Sequence, residues 1–340
     1  MEPNHERAIV LRPDVGIEKS AAGENRIVAE MLNETLVVAR TESQRLQPRF
    51  KIGAYEWCEP DYLQIQAWAK ALALDPEVVI ERLASERGSS FLDWAGTRFE
   101  GGRMMALQWN LDHLPLENFD WVNGLALHAL SFCEKSSTTG KLRKLSLPLP
   151  KLRHLQCEAI GLVELDLRYT PRLETIDCSW NKITVLDLSR VPMLTSLTCQ
   201  ATSITNLDLS RVPKLDFLFC GSREIQTLDL GGVPNLRLLN CNGTSVAELD
   251  LSPVANLLQL DCRYSSVSAL DLTKVPRLRQ LFCSYTSISH LDLPLVPMLV
   301  DLTCDNTGLT ELDIRELKHL EMLEYLPERT RLIQRADQNF

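Results

Sequence analysis

"LTSLTCQATSITNLDLSRVPK" occupies residues 194–214, "LDFLFCGSREIQTLDLGGVPN" residues 215–235 and "LRLLNCNGTSVAELDLSPVAN" residues 236–256. A cysteine returns every 21 residues, at Cys157, Cys178, Cys199, Cys220, Cys241, Cys262, Cys283 and Cys304. Around it the pattern is L-x-x-L-x-C-x-x-T-x-I-x-x-L-D-L-S-x-V-P-x. Counted from the first Leu, positions 1, 4, 6, 11, 14, 16 and 19 are apolar. Alternation at 4 and 6 predicts a strand, and alternation at 14 and 16 around Asp predicts a second one. A unit of this size cannot bury its apolar face alone, so successive units stack on one shared core as a solenoid.

The cysteines then stand in one column. Adjacent strands lie about 4.8 Å apart, whereas a disulfide needs Cβ atoms about 3.8 Å apart. The expectation is a column of free thiols, each a small buried hydrophobe.

These repeats resemble bacterial leucine-rich repeats, in particular the 21-residue class with a cysteine ladder found in internalin-type proteins. The resemblance covers residues 106–326 and implies a right-handed α+β coil. Internalin-type proteins are exported and anchored to the cell wall; this chain is expected to lack both the export signal and the sorting tail, so that location is not carried over. The register extends past the cysteines. Leu320, Leu323 and Tyr325 fit positions 1, 4 and 6 of a last partial turn, and Leu130 and Phe132 fit positions 4 and 6 of an irregular one. Trp109, Leu111, Leu116, Phe119 and Trp121 are placed at positions 4, 6, 11, 14 and 16 of the first turn, and Cys133 falls one place out of the ladder. "EKSSTTG" (134–140) reads as a surface loop. The total is about ten turns, a rod of about 48 Å.

Two columns follow different rules. Position 15 is Asp in eight successive copies, from Asp166 to Asp313. Stacked carboxylates repel by about 1 kcal/mol per pair in water, so a structural return is expected. Asp caps turns by accepting an N–H two residues on. The Gly-rich nonapeptide of calcium-binding β-rolls is missing, which favours caps over a calcium column. Positions 5 and 8 vary instead. In leucine-rich repeat proteins this strand lines the concave side, where partners commonly bind. Phe217, Phe219, Tyr264, Arg263, Phe282, Tyr285 and Trp180 are the candidate partner-binding residues, with Arg279 among them, because aromatic and Arg side chains dominate protein–protein hot spots.

Upstream of the repeats, 1–23 reads as a polar tail and 24–105 as a helical cap domain leading into the coil. "ENRIVAEMLNETLVVAR" (24–40) and "DYLQIQAWAKALAL" (61–74) carry helical stripes, and Asp75 with Pro76 makes a good helix start. Residues 55–83 resemble the later helices of phage-repressor-like helix-turn-helix domains, though the earlier half of that motif is missing. Residues 1–88 hold 11 basic and 15 acidic residues. Residues 327–340 read as a C-terminal tail.

The net charge of −9 argues against general affinity for nucleic acid or anionic membrane. No 18-residue apolar run and no secretory leader is read, so a reducing cytosol is expected for the ten cysteines. There is no Gly-rich phosphate loop, G-x-S-x-G or C-x-x-C. His154 and Cys157 point to opposite faces of a strand, which disfavours zinc. Cys58, outside the ladder, could be exposed and reactive; a thiol packed between helices is the plainer reading. The expectation is a noncatalytic, cofactor-free, cytoplasmic scaffold or adaptor that binds a protein. The alternatives are an injected effector without a cleavable signal that binds a host protein, and a DNA-binding regulator that uses the N-terminal helices.

Overall fold

The position-4 leucines set the architecture. Leu197, Leu218, Leu239, Leu260, Leu281, Leu302 and Leu323 are direct neighbours in a parallel sheet, with Ile176, Leu155, Leu130 and Leu107 continuing the column toward the N-terminus. In this computed structural model the described residues are 49–85, 97–112, 114–115, 119, 121–122, 124–133, 142–325 and 328–338. The expected tail 1–23, the stripe 24–40, the loop 134–140 and Leu116 lie outside them. Cap and coil belong to one compact unit, Arg49–Phe340.

Most ladder strands are only three residues long, positions 3 to 5, as in Ser196–Thr198. They are short because each turn must reverse twice within 21 residues. Position 4 is buried in every strand from Leu107 to Leu302 and half-buried at Leu323, and the ladder cysteines are buried too. From Cys157 to Cys304 the eight thiols are free, as is Cys58. Burial pushes the ladder thiols up, Cys241 and Cys304 to about 12.

The second expected strand forms only at the two ends. Lys144–Ser146 pairs with Glu164–Asp166, and Glu311–Asp313 with Arg331–Ile333. Asp187 Oδ1 accepts from Ser189 N–H (2.9 Å), Asp208 from Ser210 N–H (2.9 Å), Asp229 from Gly231 N–H (2.8 Å) and Asp250 from Ser252 N–H (2.9 Å). These are the expected caps, and Asp166 and Asp313 in the end strands make them too, accepting from Arg168 N–H (3.1 Å) and Arg315 N–H (3.1 Å). The exception has a covalent cause. Asp292 makes no such bond, and two residues on stands Pro294, which has no N–H.

The first turn departs from its expected register. Leu107 faces Leu130 and Trp109 faces Phe132, so Leu107 takes position 4 and Trp109 takes the cysteine slot, two places from the expected assignment. The spacings explain the slip. Trp109 to Phe132 is 23 residues and Phe132 to Cys157 is 25, so counting back in steps of 21 misaligns the start.

The cap is more than helical. Arg49–Ile52 and Tyr55–Cys58 form a hairpin, followed by α1 (Glu59–Leu72) and α2 (Pro76–Ser85). Residues 55–83 therefore begin with a strand. Helix α1 buries Ile65, Trp68 and Ala69, and Trp68 meets Trp109 edge-on at 4.7 Å between ring centroids. Trp109, Phe119 and Phe132 complete an aromatic plug over the open core. Buried Asp61 locks it: its Oδ1 accepts from Met104 N–H (2.6 Å), and its Oδ2 lies 2.6 Å from Arg103 Nε. Burial raises the Asp61 carboxyl above its ordinary value, with Met104 and Arg103 pulling it back. Cys58 precedes α1 and is 3% exposed, so a packed thiol is what the fold holds there. The Cys133 side chain lies outside the described residues. An antiparallel strand, Arg98–Glu100, joined to Arg103–Asn110 through Gly101 (φ 56°) and Gly102 (φ 76°), covers the sheet's N-terminal edge.

Where a C-terminal tail is expected, the chain continues the coil. Beside the strand Arg331–Ile333, Thr330 Oγ1 donates to Leu309 O (2.9 Å), and Gln338 Nε2 donates to Ile314 O (3.0 Å) and Leu317 O (3.1 Å). These side chains satisfy carbonyls that the next turn would otherwise occupy.

Candidate functional site

After each cysteine the chain leaves the strand but keeps its ladder. The N–H of position 8 donates to the carbonyl of position 7 one turn on, as in Trp180 to Gln200 (2.9 Å) and Tyr264 to Ser284 (3.0 Å). In seven turns this residue is left-handed: Ala159, Trp180, Ala201, Gly243, Tyr264, Tyr285 and Asn306 have φ between 49° and 66°. In the eighth turn the loop is rebuilt, with Ile225 N–H donating to Ser222 O (3.2 Å).

Position 9 supports this bend from inside. Thr202, Thr244, Ser265, Thr286 and Thr307 donate their hydroxyls to the carbonyls of the cysteines three residues before them. Asn181 does more. It donates to Cys157 O (2.7 Å), Cys178 O (3.0 Å) and Ser179 O (3.1 Å), and accepts from Ile160 N–H (3.2 Å) and Leu162 N–H (2.9 Å). The Thr at position 9 was visible in the repeat, but its task was not.

A left-handed residue with a Cβ is strained, and Gly or Asn meets the demand at least cost. Gly243 and Asn306 follow that rule. Ala159, Ala201, Trp180, Tyr264 and Tyr285 do not, and of these the aromatic residues are 64%, 62% and 46% exposed. Tyr264 and Tyr285 stack with centroids 4.5 Å apart and planes 13° from parallel. Next to them Arg263 grips Asp261 through Nε (3.0 Å) and a terminal nitrogen (2.7 Å), and its guanidinium lies over the Phe282 ring at 5.3 Å. Arg263, Tyr264, Phe282 and Tyr285 thus form one cluster.

The other candidates stand apart. Trp180 is four turns before Tyr264, about 19 Å along the coil. Phe219 is half-buried between Thr198 and Asn240 in the sheet. Phe217 enters the strand from its other end, 37% exposed, with the Arg237 guanidinium 5.5 Å from its ring. On that side Arg237, Arg277 and Arg279 line two adjoining grooves, a feature not singled out from the repeat. Among the described residues no group of His, Cys, Asp or Glu is arranged to hold a metal, and no helix is long and apolar enough to cross a membrane. His154 Nδ1 lies 3.0 Å from Thr175 Oγ1, and burial lowers its basicity.

No family model matches the sequence, and no curated protein does. Solved structures match. The functional domain of InlJ from Listeria monocytogenes, which includes a cysteine ladder, is similar at a TM-score of 0.54 and 26% identity, over 65% of this chain and 53% of that one. This chain thus spans about half the length of that domain. The leucine-rich repeat domain of APL1 is similar at 0.51 and 16% identity, over 67% of this chain and 70% of that one. A chain of the LRIM1/APL1C complex is similar at 0.52 and 16%, over 68% and 50%; these last two share the fold. With a 21-residue period, a stacked column of leucines and Ile176, and eight stacked free cysteines, the chain folds as a leucine-rich repeat solenoid with a cysteine ladder, similar in both respects to the InlJ domain.

Proposed function

We propose that this chain is a noncatalytic protein-binding module that receives its partner on the outward side of the parallel sheet, centred on Arg263, Tyr264, Phe282 and Tyr285. One observation carries the reading: large, exposed aromatic rings occupy left-handed positions where Gly243 and Asn306 represent the low-strain choice. Strain of this kind collects where a side chain is needed for something other than the fold. The rings are rigid, and Arg263 is already oriented by Asp261, so little entropy is lost on contact.

The test is affinity capture from the source cell with the full chain as bait, beside a Tyr264→Ala/Tyr285→Ala variant of equal melting temperature. A partner held by the native chain and lost by the variant supports the reading. Retention of every captured protein by the variant would place recognition elsewhere.

A further inference from the structure

The two grooves break the repeat in a way the aromatic cluster does not use. Position 2 is polar in most turns, as at Arg153, Glu174, Thr195 and Asp216, but it is Leu258 and Val300 further on, and Leu238 stands at outward position 3. All three are half-buried and line the grooves. The grooves measure about 510 Å³ and 420 Å³ and share Arg237 and Leu258, so they run into each other.

Their charge opposes that of the chain. Lys214, Arg237, Arg277 and Arg279 line them against Asp216 and Asp301, four positive less two negative, within a chain of −9. Both acids are already engaged, Asp216 by Arg237 and Asp301 by Gln280. Arg277 is steadied by the neutral Asn256 side chain (3.1 Å), which leaves its charge unbalanced. The Arg279 side chain is exposed and makes no hydrogen bond or ion pair with the described residues. The lining spans the turns from Thr195 to Asp301, about 24 Å, enough for about seven extended residues.

We infer that these grooves hold an extended acidic segment of the protein partner, its carboxylates on Arg277 and Arg279 and an apolar side chain on Leu238, Leu258 and Val300. A guanidinium fork matches a carboxylate in shape and charge. A nucleic acid strand would want open ring faces between the cations. Here the floor is aliphatic, and Phe217, the one ring in the lining, lies beneath Arg237. The inference rests on the protein-binding reading and adds a chemical class to it.

The experiment is selection of a random peptide display library on the full chain, on an Arg277→Glu/Arg279→Glu variant and on the Tyr264→Ala/Tyr285→Ala variant. Both charge changes are on exposed side chains, and melting curves verify folding. Peptides selected by the native chain should be enriched in Asp and Glu beside Leu or Phe. A synthetic copy of one should bind the charge-reversed variant at least about tenfold more weakly and lose affinity with added salt. Binders without acidic enrichment that depend on the tyrosines would overturn the groove and leave the aromatic reading standing. Acidic binders held equally by the charge-reversed variant, or tighter binding of a thymidine 12-mer than of the peptide, would also overturn it. Failure to select any peptide would count against both readings.

Discussion

Two columns run side by side along this coil, two residues apart in every turn. Position 6 carries the same residue, cysteine, in eight successive turns, and every copy is buried. Position 8 carries Ala, Trp, Ala, Ser, Gly, Tyr, Tyr and Asn, although its backbone is nearly as uniform. Both columns face a strict physical demand, one for small apolar volume and the other for a left-handed φ. The first is met the same way each time. The second is met cheaply in some turns and against preference in others. A uniform column reports what the fold needs, and a column that departs from the cheapest solution is where the proposed contact is sought.

The contrast can be pressed hardest at Asn181, which bridges the two columns. Asn181→Ala leaves carbonyls of Cys157 and Cys178 and amides of Ile160 and Leu162 buried without their partner, and should cost about 3 kcal/mol in urea unfolding. A loss under about 1 kcal/mol would mean that water replaces the amide and the bend is less demanding than it looks. In the cysteine column, Cys220→Ala removes a buried sulfur and should cost about 1–2 kcal/mol. A thiol reagent should reach none of the nine cysteines whose side chains are described, Cys58 included, until denaturant is added. Rapid native labelling of several would show that the column breathes.

The aspartate column offers an internal control. Asp187→Ala removes a cap and should cost about 1 kcal/mol, whereas Asp292→Ala should change little because Pro294 already denies it an amide. Equal losses at both sites would show that charge, and not capping, is what the column contributes. Hydrogen bonds hold the carboxyls of Asp166, Asp187 and Asp208 below their ordinary value, first the Arg168 side chain at Asp166, which falls to about 2, and the Ser189 and Ser210 hydroxyls at Asp187 and Asp208. A depressed carboxyl stabilises the fold above its unfolded pKa, and that contribution disappears as pH falls through the folded one. For Asp166 the window runs from about 4 down to about 2, and Asp166→Asn should flatten the fall in melting temperature there.

The smallest effect belongs to position 8. Tyr285→Asn relieves left-handed strain while losing the Tyr264 stack, and stability should change by no more than about 0.5 kcal/mol. A loss of 2 kcal/mol would make the ring part of the fold and remove the main ground for reading it as a contact.

How far these features could be read in advance differs by column. The leucine and cysteine columns were legible because eight copies can be laid over one another within one chain. The first turn was not, because the steps of 23 and 25 residues before Cys157 break the count at Trp109. The strand expected around position 15 misread an alternation that equally suits a capped bend. Position 8 looked merely free, because Trp and Tyr carry no signal of a left-handed backbone; only Gly243 and Asn306 hinted at it. The grooves could have been found by asking why Leu258 and Val300 replace charge at an outward position.

The antiparallel strand Arg98–Glu100 has a consequence for assembly. A coil whose two ends were both bare parallel edges could add a second copy end to end, then a third, and polymerise without closing. This chain turns its first edge into a hairpin, so the last parallel strand of another copy, Met322–Glu324, finds no matching strand to continue. Glu321 precedes that last strand and Glu324 ends it, which adds charge to the remaining edge. The result is a ruler: the proposed contact residues lie at distances counted in whole turns from the hairpin edge.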